Sequence, residues 1–263
     1  MGYFRPWAAG FGLLYLGCKQ DESGRVCRAG NLDRIEMDAS VLTMVPCFRQ
    51  LGHGQLQTVL ERSTMRREGD GSVIFHEGDD AERFYLLLDG AIRVLRIMPD
   101  GEQAVTLHIL PGELFGIASA IGRKTYPATA AAVGDCVYLS WPMPLWAEFA
   151  ETCPGFAVET FHEVGNRLVE LNTTLTQFAT KLVEQRVACA LLRLVEKFGS
   201  KTHNATAISI PVTRKDIAEM SGSTLHTVSR LLSGWEKDGI VSSRRKHVEI
   251  IDVPRLSALA KSG

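Results

Sequence analysis

The chain has 263 residues, of which 45% are hydrophobic and 22% charged, and its formal net charge is −1. This composition is typical of a folded globular protein and excludes a disordered or fibrous chain. The length predicts two folded units, because a single domain usually has about 100–200 residues. Basic residues outnumber acidic ones from Lys181 onward and are outnumbered before it, which predicts a polyanion-binding unit at the C-terminal end.

The first 36 residues are rich in glycine and lack a clear period, so we interpret residues 1–36 as a poorly ordered extension. No apolar run approaches the roughly 18–20 residues of a membrane-spanning helix. The cysteines form no CxxC pair or regular framework, which favours free thiols over a disulfide-stapled secreted fold. We therefore expect a cytoplasmic protein that makes no contact with membranes.

Short apolar runs separated by glycine turns extend from about Arg66 to Ser140. The breaks recur about every ten residues, a spacing typical of an antiparallel barrel, and they fall at Gly78, Gly90, Gly101 and Gly112. The segment Pro99-Asp100-Gly101 has the composition of a hairpin turn. Residues 37–150 are therefore predicted to form an antiparallel β-barrel of jelly-roll type that acts as the sensor domain.

A helical period occupies residues 151–182. Apolar side chains recur there at steps of three and four, as in a heptad seam; these seam residues are Phe161, Val164, Leu168, Leu171, Leu175, Phe178 and Leu182. One interpretation is a helix that packs only on the barrel of its own chain. Polar residues between the seam positions favour pairing with a second copy. We therefore expect a homodimer, whose twofold symmetry predicts paired DNA half-sites.

Residues 183–263 have the signals of a winged helix-turn-helix. A helix over Val183–Phe198 ends before Gly199, and Thr213 with Asp216 forms a capping box for a short helix to Met220. A turn at Ser221-Gly222-Ser223 precedes a helix over Thr224–Lys237, whose predicted buried residues are Leu225, Val228, Leu231, Leu232 and Trp235. The segment after Gly239, IVSSRRKHVEII, predicts a hairpin with three basic residues at its tip, which we call the wing. The overall fold class is α+β.

The second helix of this motif is the candidate reader of DNA. Its outward residues His226, Ser229 and Arg230 are predicted to meet base edges, and Arg230 can donate two hydrogen bonds to guanine. Hydroxyls and cations around it suit phosphates, which provide affinity without sequence information. The predicted phosphate contacts are Thr213, Arg214, Lys215, Ser223, Thr224, Thr227, Arg244, Arg245 and Lys246.

The glycine-punctuated barrel, the PGELFG turn, the seam helix and the segment GSTLHTVSRLLSGWEKDGIV together resemble the Crp/Fnr family of bacterial regulators, over residues from about 40 to 260. The resemblance implies a transcription regulator rather than an enzyme, a palindromic TTG-type site read by Ser229 and Arg230, and RNA polymerase as a partner. His226 stands where the family usually has Glu, and it can donate a hydrogen bond where Glu only accepts.

The resemblance also bears on the signal. The expected sensor pocket comprises Phe115, Gly116, Ile117, Tyr126 and Pro127. Relatives that bind cyclic AMP hold it with Gly-Glu and Arg-Ser pairs, and here Ile117 and Tyr126-Pro127 replace the groups that bind ribose and phosphate. We therefore expect no cyclic AMP. An iron–sulfur cluster needs closely spaced thiolates, whereas Cys18, Cys27 and Cys47 are far apart, so no cluster is expected either.

The segments YPATAAA and HTVSR resemble the nitric-oxide-responsive Dnr/NnrR branch, which controls denitrification and nitrosative-stress genes and for which haem is the implied sensor. Haem needs an axial ligand, and the candidates are His53, His76, His108 and His162. The alternatives are a regulator of the same fold that responds to a cyclic nucleotide or another small ligand, a cyclic-nucleotide-binding regulatory subunit, and a cupin-like metalloenzyme. No recognisable His/Glu cluster supports the last.

Overall fold

The computed structural model describes residues 38–97, 103–201, 205–244 and 246–261. The predicted extension, 1–36, and the predicted turn at Pro99–Gly101 lie outside these ranges, as does Arg245 of the wing. Within the described ranges, the chain forms an N-terminal domain up to Thr152, a long connecting helix, and a C-terminal domain from Val183 onward.

The N-terminal domain begins with two short 3-10 helices, Ala39–Met44 and Pro46–Phe48, and helix α1, His53–Glu61. Six strands come next and form one antiparallel sheet. Their bounds are β1 Thr64–Glu68, β2 Val73–Phe75, β3 Arg83–Ile97, β4 Gln103–Ile109, β5 Leu114–Phe115 and β6 Thr129–Pro142. A third 3-10 helix, Ala118–Ile121, lies between β5 and β6.

Among the described strands, the sheet does not close into the predicted barrel. Its strand order is β1-β6-β3-β4, with β2 paired to β6 and β5 to β3, and the end strands β1 and β4 do not pair with each other. The long strands β3 and β6 instead bend, at Gly90 and Gly134, whose φ angles of 83° and 73° favour glycine. Register shifts between Leu87 and Ala91 accompany the bend. Side chains of β3 and β6 contribute to two separate hydrophobic cores.

Aromatic side chains fill the core on one side of this sheet. Trp141 and Phe84 stack with ring centroids 5.4 Å apart, and Phe48, Phe149 and Phe156 pack around them. All five are almost fully buried, and the Trp141 indole donates to the Val59 carbonyl at 2.8 Å. The N-terminal helices are fixed to the sheet by this cluster, since buried aromatic rings contribute large apolar areas.

Three helices follow the sheet: α2, Leu145–Thr152, ends the N-terminal domain; α3, Phe156–Thr180, connects the domains; and α4, Val183–Phe198, begins the C-terminal domain. Helix α3 begins after Gly155, in the left-handed region at φ 86°, and ends before Lys181. The predicted helical segment 151–182 therefore contains a break at each end. Leu182 lies beyond α3 and is the N-cap residue of α4. Helix α4 has the bounds that the sequence predicts.

The C-terminal domain is a winged helix-turn-helix, as predicted. Its elements are β7 Gly199–Lys201, β8 Thr206–Ile208, α5 Arg214–Ser221, α6 Leu225–Lys237, β9 Val241–Arg244, β10 His247–Ile250 and α7 Val253–Lys261. Helices α5 and α7 pack beside α4, helix α6 packs against α5, and the strands form a sheet in the order β7-β8-β10-β9. The α+β class and the order of sheet, long helix and winged helix-turn-helix are confirmed.

Candidate DNA-binding interface

Helix α6, the recognition helix, is positioned by one buried face. Val228, Leu232 and Trp235 are 0–4% exposed and belong to the core of the C-terminal domain. The Trp235 indole also donates to Glu184 of α4 at 3.3 Å. The prediction that Leu225 is buried is wrong: its side chain is 51% exposed, because the first residue of the helix precedes the turn that meets the core.

The outward face of the recognition helix carries the predicted base-reading residues. His226 and Arg230 are exposed and one turn apart, and Ser229 lies beside them, half-buried. Thr224 caps the helix by accepting a hydrogen bond from the Thr227 backbone at 3.2 Å. Within the described ranges, His226 and Arg230 make no hydrogen bond or ion pair with protein groups. Their polar atoms are therefore available to a ligand.

Several predicted phosphate contacts are engaged within the protein. The Thr213 hydroxyl accepts from the Asp216 backbone at 3.1 Å and donates to its carboxylate at 2.7 Å, in the predicted capping box. Arg214 donates to Ser243 of the wing at 3.1 Å. Glu236 of the recognition helix accepts from the Ser243 backbone at 2.9 Å. These bonds fix the base of the wing against α5 and the recognition helix.

A groove of about 490 Å³ lies between α5, the start of the recognition helix and the wing. Its lining combines apolar side chains with four cations, and it comprises Val212, Thr213, Arg214, Lys215, Leu225, Ser243, Arg244, Lys246 and Val248. Lys215 forms an ion pair with Glu219, at 3.6 Å, and Arg244 is exposed. Such a concentration of positive charge beside a helix N-terminus suits a phosphate backbone.

The tip of the wing contacts the N-terminal domain. Lys246 has a φ of 61°, and its ammonium group lies 2.6 Å from the Asp70 carboxylate, in the connection between β1 and β2. The bond to Lys246 holds the pKa of Asp70 below its usual range, as does a second bond from the Gly134 backbone. Lys246, which the sequence assigns to a DNA phosphate, is therefore paired with a carboxylate in this arrangement.

A second ion pair joins the domains at α5. Arg93 of β3 donates to the Asp216 carboxylate at 3.3 Å. The Nε atom of Arg93 is buried and has no hydrogen-bond partner among the described residues. Ala91 is fully buried in the core of the C-terminal domain, and Leu110 and Val133 pack against that core. The sheet of the N-terminal domain thus supports the helix-turn-helix directly.

Two arginines of α4 link the long helix α3 to the end of α5. Arg193 donates to Gln177 of α3 at 2.9 Å and to the Met220 carbonyl at 3.3 Å. Arg186 donates to the Ser221 carbonyl at 2.8 Å, and its guanidinium lies 5.5 Å from the centre of the Phe178 ring. These arginines donate to backbone carbonyls at the C-terminal end of α5, which have no partner within the helix, and they connect α3 to the helix-turn-helix.

Most seam residues are exposed in the single chain. Phe161, Leu168, Leu175 and Leu182, spaced by seven, are 65–73% exposed, and Leu171 and Phe178 are 41% and 42% exposed. Val164 differs, since it packs against the core of its own N-terminal domain. Val158 and Val169, which lie outside the strict heptad pattern, are also exposed, at 56% and 67%. The apolar stripe of α3 is therefore wider than the sequence period indicates.

Two of the predicted sensor-pocket residues, Phe115 and Tyr126, lie in a packed aromatic layer. We call this layer the aromatic stack, and it comprises Phe75, Tyr85, Phe115, Tyr126 and Tyr138. The Tyr126 ring stacks on Phe75 at 3.8 Å, and its hydroxyl donates to the Arg83 carbonyl at 2.7 Å. Gly116 packs so closely against Tyr85 that a Cβ added to Gly116 would lie only 2.7 Å from the tyrosine ring.

The remaining pocket residues differ in exposure. Ile117 is 7% exposed in the neighbouring core, and Pro127 is half-buried. Arg123 and Lys124 are exposed. Three of the predicted pocket residues, Phe115, Ile117 and Tyr126, are thus buried apolar or phenolic side chains.

The four candidate haem ligands do not come together. His53, His76 and His162 are exposed on three different segments. His108 is buried on β4, with its ring edge-on to Phe198 at 6.1 Å. Burial, together with the charge of Lys197, lowers the pKa of His108 to about 4. In the described parts of the chain, no group of three or more His, Cys, Asp or Glu residues is arranged to hold a metal.

The cysteines in the described ranges are free. Cys47 lies in the core beneath the first helices, where burial raises the pKa of its thiol. Cys18 and Cys27 lie outside the described residues. Among the helices that the structure describes, none is both long enough and apolar enough to cross a membrane.

Two family models match the chain. The model of the cyclic nucleotide-binding domain matches residues 66–153, and that of the Crp-like helix-turn-helix domain matches residues 185–259. The chain belongs to the Crp/Fnr family. Like other Crp/Fnr proteins, it is a DNA-binding transcription regulator that responds to a small signal. The relatives that it matches are regulators and not enzymes.

Curated Crp/Fnr relatives cover most of the chain. The transcriptional activator FnrA of Stutzerimonas stutzeri is 24% identical over 243 residues, which is 92% of this chain and 92% of the relative. Electron transport regulator A of Shewanella oneidensis is 25% identical over 206 residues, 78% of this chain and 81% of the relative. The fumarate and nitrate reduction regulatory protein of Salmonella typhimurium is 25% identical over 206 residues, again 78% and 81%.

Solved Crp/Fnr structures share the fold. FixK2 from Bradyrhizobium japonicum superposes with a TM-score of 0.68 at 23% identity, over 76% of this chain and 98% of that chain. A CRP-family regulator from Thermus thermophilus gives a TM-score of 0.64 at 22% identity, over 75% and 97%. The chain therefore shares its fold with these structures.

Proposed function

We propose that this Crp/Fnr regulator binds a palindromic TTG-type site as a homodimer, with His226, Ser229 and Arg230 at the base edges. The observation that carries the proposal is the exposed face of a capped helix, beside a groove lined by Arg214, Lys215, Arg244 and Lys246. A helix of this kind enters the major groove, and the cations around it contact phosphates. RNA polymerase is the proposed protein partner, and the cytoplasm the proposed location.

The exposed seam supports the homodimer. Four side chains at heptad spacing, Phe161, Leu168, Leu175 and Leu182, are about two-thirds exposed or more, and a monomer gains nothing from a continuous apolar stripe on a helix. A second α3 helix would bury it in a coiled-coil contact. The proposed domain division, with residues 37–150 as sensor, 151–182 for dimerisation and 183–263 for DNA, is based on these elements.

The path from signal to DNA is proposed to pass through α3. Arg186 and Arg193 donate hydrogen bonds to the end of α5, and the Phe178 ring of α3 lies so near Gly222 that a Cβ added there would be 3.2 Å from it. A signal that changes the angle of α3 would change the spacing of the two recognition helices. A shift between two dimer arrangements suffices, provided that the signal binds one of them more tightly.

A signal other than cyclic AMP is proposed, on the basis of the aromatic stack. Tyr126 stands where the family's Arg-Ser pair holds the phosphate, and its hydroxyl is already bonded to the Arg83 carbonyl. Ile117 offers no acceptor for a ribose hydroxyl. The loss of one charge-assisted bond costs about 1.5–3 kcal/mol. An iron–sulfur cluster is likewise not proposed, because Cys47 is a buried thiol with a raised pKa.

The narrower proposal, which the Dnr/NnrR resemblance suggests, is nitric oxide sensed through haem with denitrification or nitrosative-stress genes as targets. The described residues do not fit a haem site in this arrangement. His108 is packed against Phe198, and the other three candidate histidines lie apart at the surface. No step of the mechanism is therefore derived through haem. Reconstitution with haem decides the matter: no Soret band removes this proposal and leaves DNA binding intact.

The DNA-reading proposal is tested by Arg230→Ala in a gel-shift titration. The duplex has TTG and CAA half-sites about one helical turn apart, and a scrambled duplex measures non-specific binding. Because a bidentate arginine contributes about 1–3 kcal/mol of discrimination per contact, the variant should lose at least about fivefold in preference and keep salt-sensitive non-specific binding. The matched control is Arg123→Ala, an exposed arginine of the N-terminal domain. Unchanged preference in Arg230→Ala contradicts the placement.

A further inference from the structure

Leu225 is an exposed apolar side chain in a groove that also contains four cations, and the groove's other apolar lining residues, Val212 and Val248, are buried. It is the first residue of the recognition helix and is 51% exposed. It lines the groove together with Arg214, Lys215, Arg244 and Lys246. Exposing a leucine among cations contributes nothing to the core, whose nearest members on this helix are Val228 and Leu232.

The position of Leu225 relative to the base-reading residues is fixed by the helix. Leu225 and Ser229 are four residues apart and therefore share one side of the helix, as do His226 and Arg230 on the adjoining side. Thr224 caps the helix immediately before Leu225, so the leucine lies in the first turn. Residues in the first turns of a recognition helix are those that meet base edges in the major groove.

We propose that Leu225 reads a thymine through its C5-methyl group, in a base pair next to the one that Ser229 contacts. In the major groove, thymine presents the only methyl group among the four bases, and apolar side chains recognise it by contact. Polar neighbours of Leu225 cannot supply that contact. This inference rests on the proposed function. It adds Leu225 to the base-reading residues, although the leucine side chain has no hydrogen-bond donor or acceptor.

Deoxyuridine substitution isolates the methyl group, since uracil differs from thymine only at C5. Each thymine of the site is replaced in turn, and affinity is measured for the full chain at one salt concentration. Wild-type protein should lose about fourfold in affinity at one thymine per half-site, the value of one buried methyl-sized group. Leu225→Ala should bind the thymine and deoxyuridine duplexes equally well, and no better than wild type binds the deoxyuridine duplex.

Two comparisons keep the test specific. Ile251→Ala removes another apolar side chain of the C-terminal domain, 46% exposed, and should keep the wild-type preference for thymine. A wild-type protein that binds the site with equal affinity at every deoxyuridine position overturns the Leu225 inference alone. Discrimination that persists in Leu225→Ala also overturns it. Absence of binding to every duplex overturns the proposed function together with the inference.

Discussion

The pair between Asp70 and Lys246 places a carboxylate where the wing would meet a DNA phosphate. The substitution Asp70→Asn tests its consequence, because it removes the charge and leaves an acceptor for the Gly134 backbone bond. Both side chains are about half exposed, at 51% and 47%, and exposed pairs contribute only about 0–1 kcal/mol. Freeing Lys246 should therefore strengthen DNA binding by up to about fivefold.

The assay for Asp70→Asn is fluorescence anisotropy over a range of salt concentrations. A freed lysine adds about one phosphate contact, so the slope of log affinity against log salt should become steeper by about one. Lys246→Ala should cancel the gain in the double mutant. Asp135→Asn is the matched control, because Asp135 pairs at 3.5 Å with Arg67 of its own domain. Unchanged affinity and slope in Asp70→Asn would show that Asp70 does not compete with DNA for Lys246.

Three further predictions concern stability and assembly. Leu168→Asp should convert a dimer into a monomer in sedimentation velocity, because it places a charge in the exposed seam; a dimer that persists would contradict the seam. Burial and the nearby Glu163 raise the pKa of half-buried Glu113, so stability should be fully retained below the ordinary glutamate pKa and decrease as pH rises through neutrality. Glu113→Gln should reduce that decrease in urea unfolding at pH 5 and 8, by at least about 1 kcal/mol; parallel curves for the two proteins would argue against it. Gly116→Ala combines a φ of 64° with a Cβ 2.7 Å from Tyr85 and should cost about 2–4 kcal/mol. Gly78→Ala, at a φ of 90° in open space, should cost only about 1–2 kcal/mol, and equal losses would count against the Tyr85 contact.

Local signals in the sequence predicted local structure well. The capping box of Thr213 and Asp216 involves two residues of one turn, and the structure has it as predicted. The bounds of Val183–Phe198 agree with a helical period that ends at Gly199. These features depend on neighbours along the chain, so propensity and capping chemistry are sufficient to identify them.

Features that depend on distant residues could not be predicted. The ion pair between Lys246 and Asp70 joins residues 176 positions apart in the sequence. Nothing in the sequence around either residue indicates that the two are in contact. The alternation of strands with glycine turns predicts a closed sheet, yet that pattern does not specify whether the two end strands pair with each other. Leu225 conforms to the apolar period of its helix, and only the packing shows that the first turn lies beyond the core.

Two copies of this chain are proposed to read one palindromic site, and the affinity and stoichiometry of wild-type protein on three duplexes test this directly. The duplexes are of equal length and are measured at physiological salt: the TTG-type palindrome, a single half-site and a scrambled sequence. A dimeric reader should place two chains on the palindrome, with an affinity at least about 10³-fold above that for the scrambled duplex. Equal affinity for the three duplexes, or one chain bound to the palindrome, would contradict dimeric recognition.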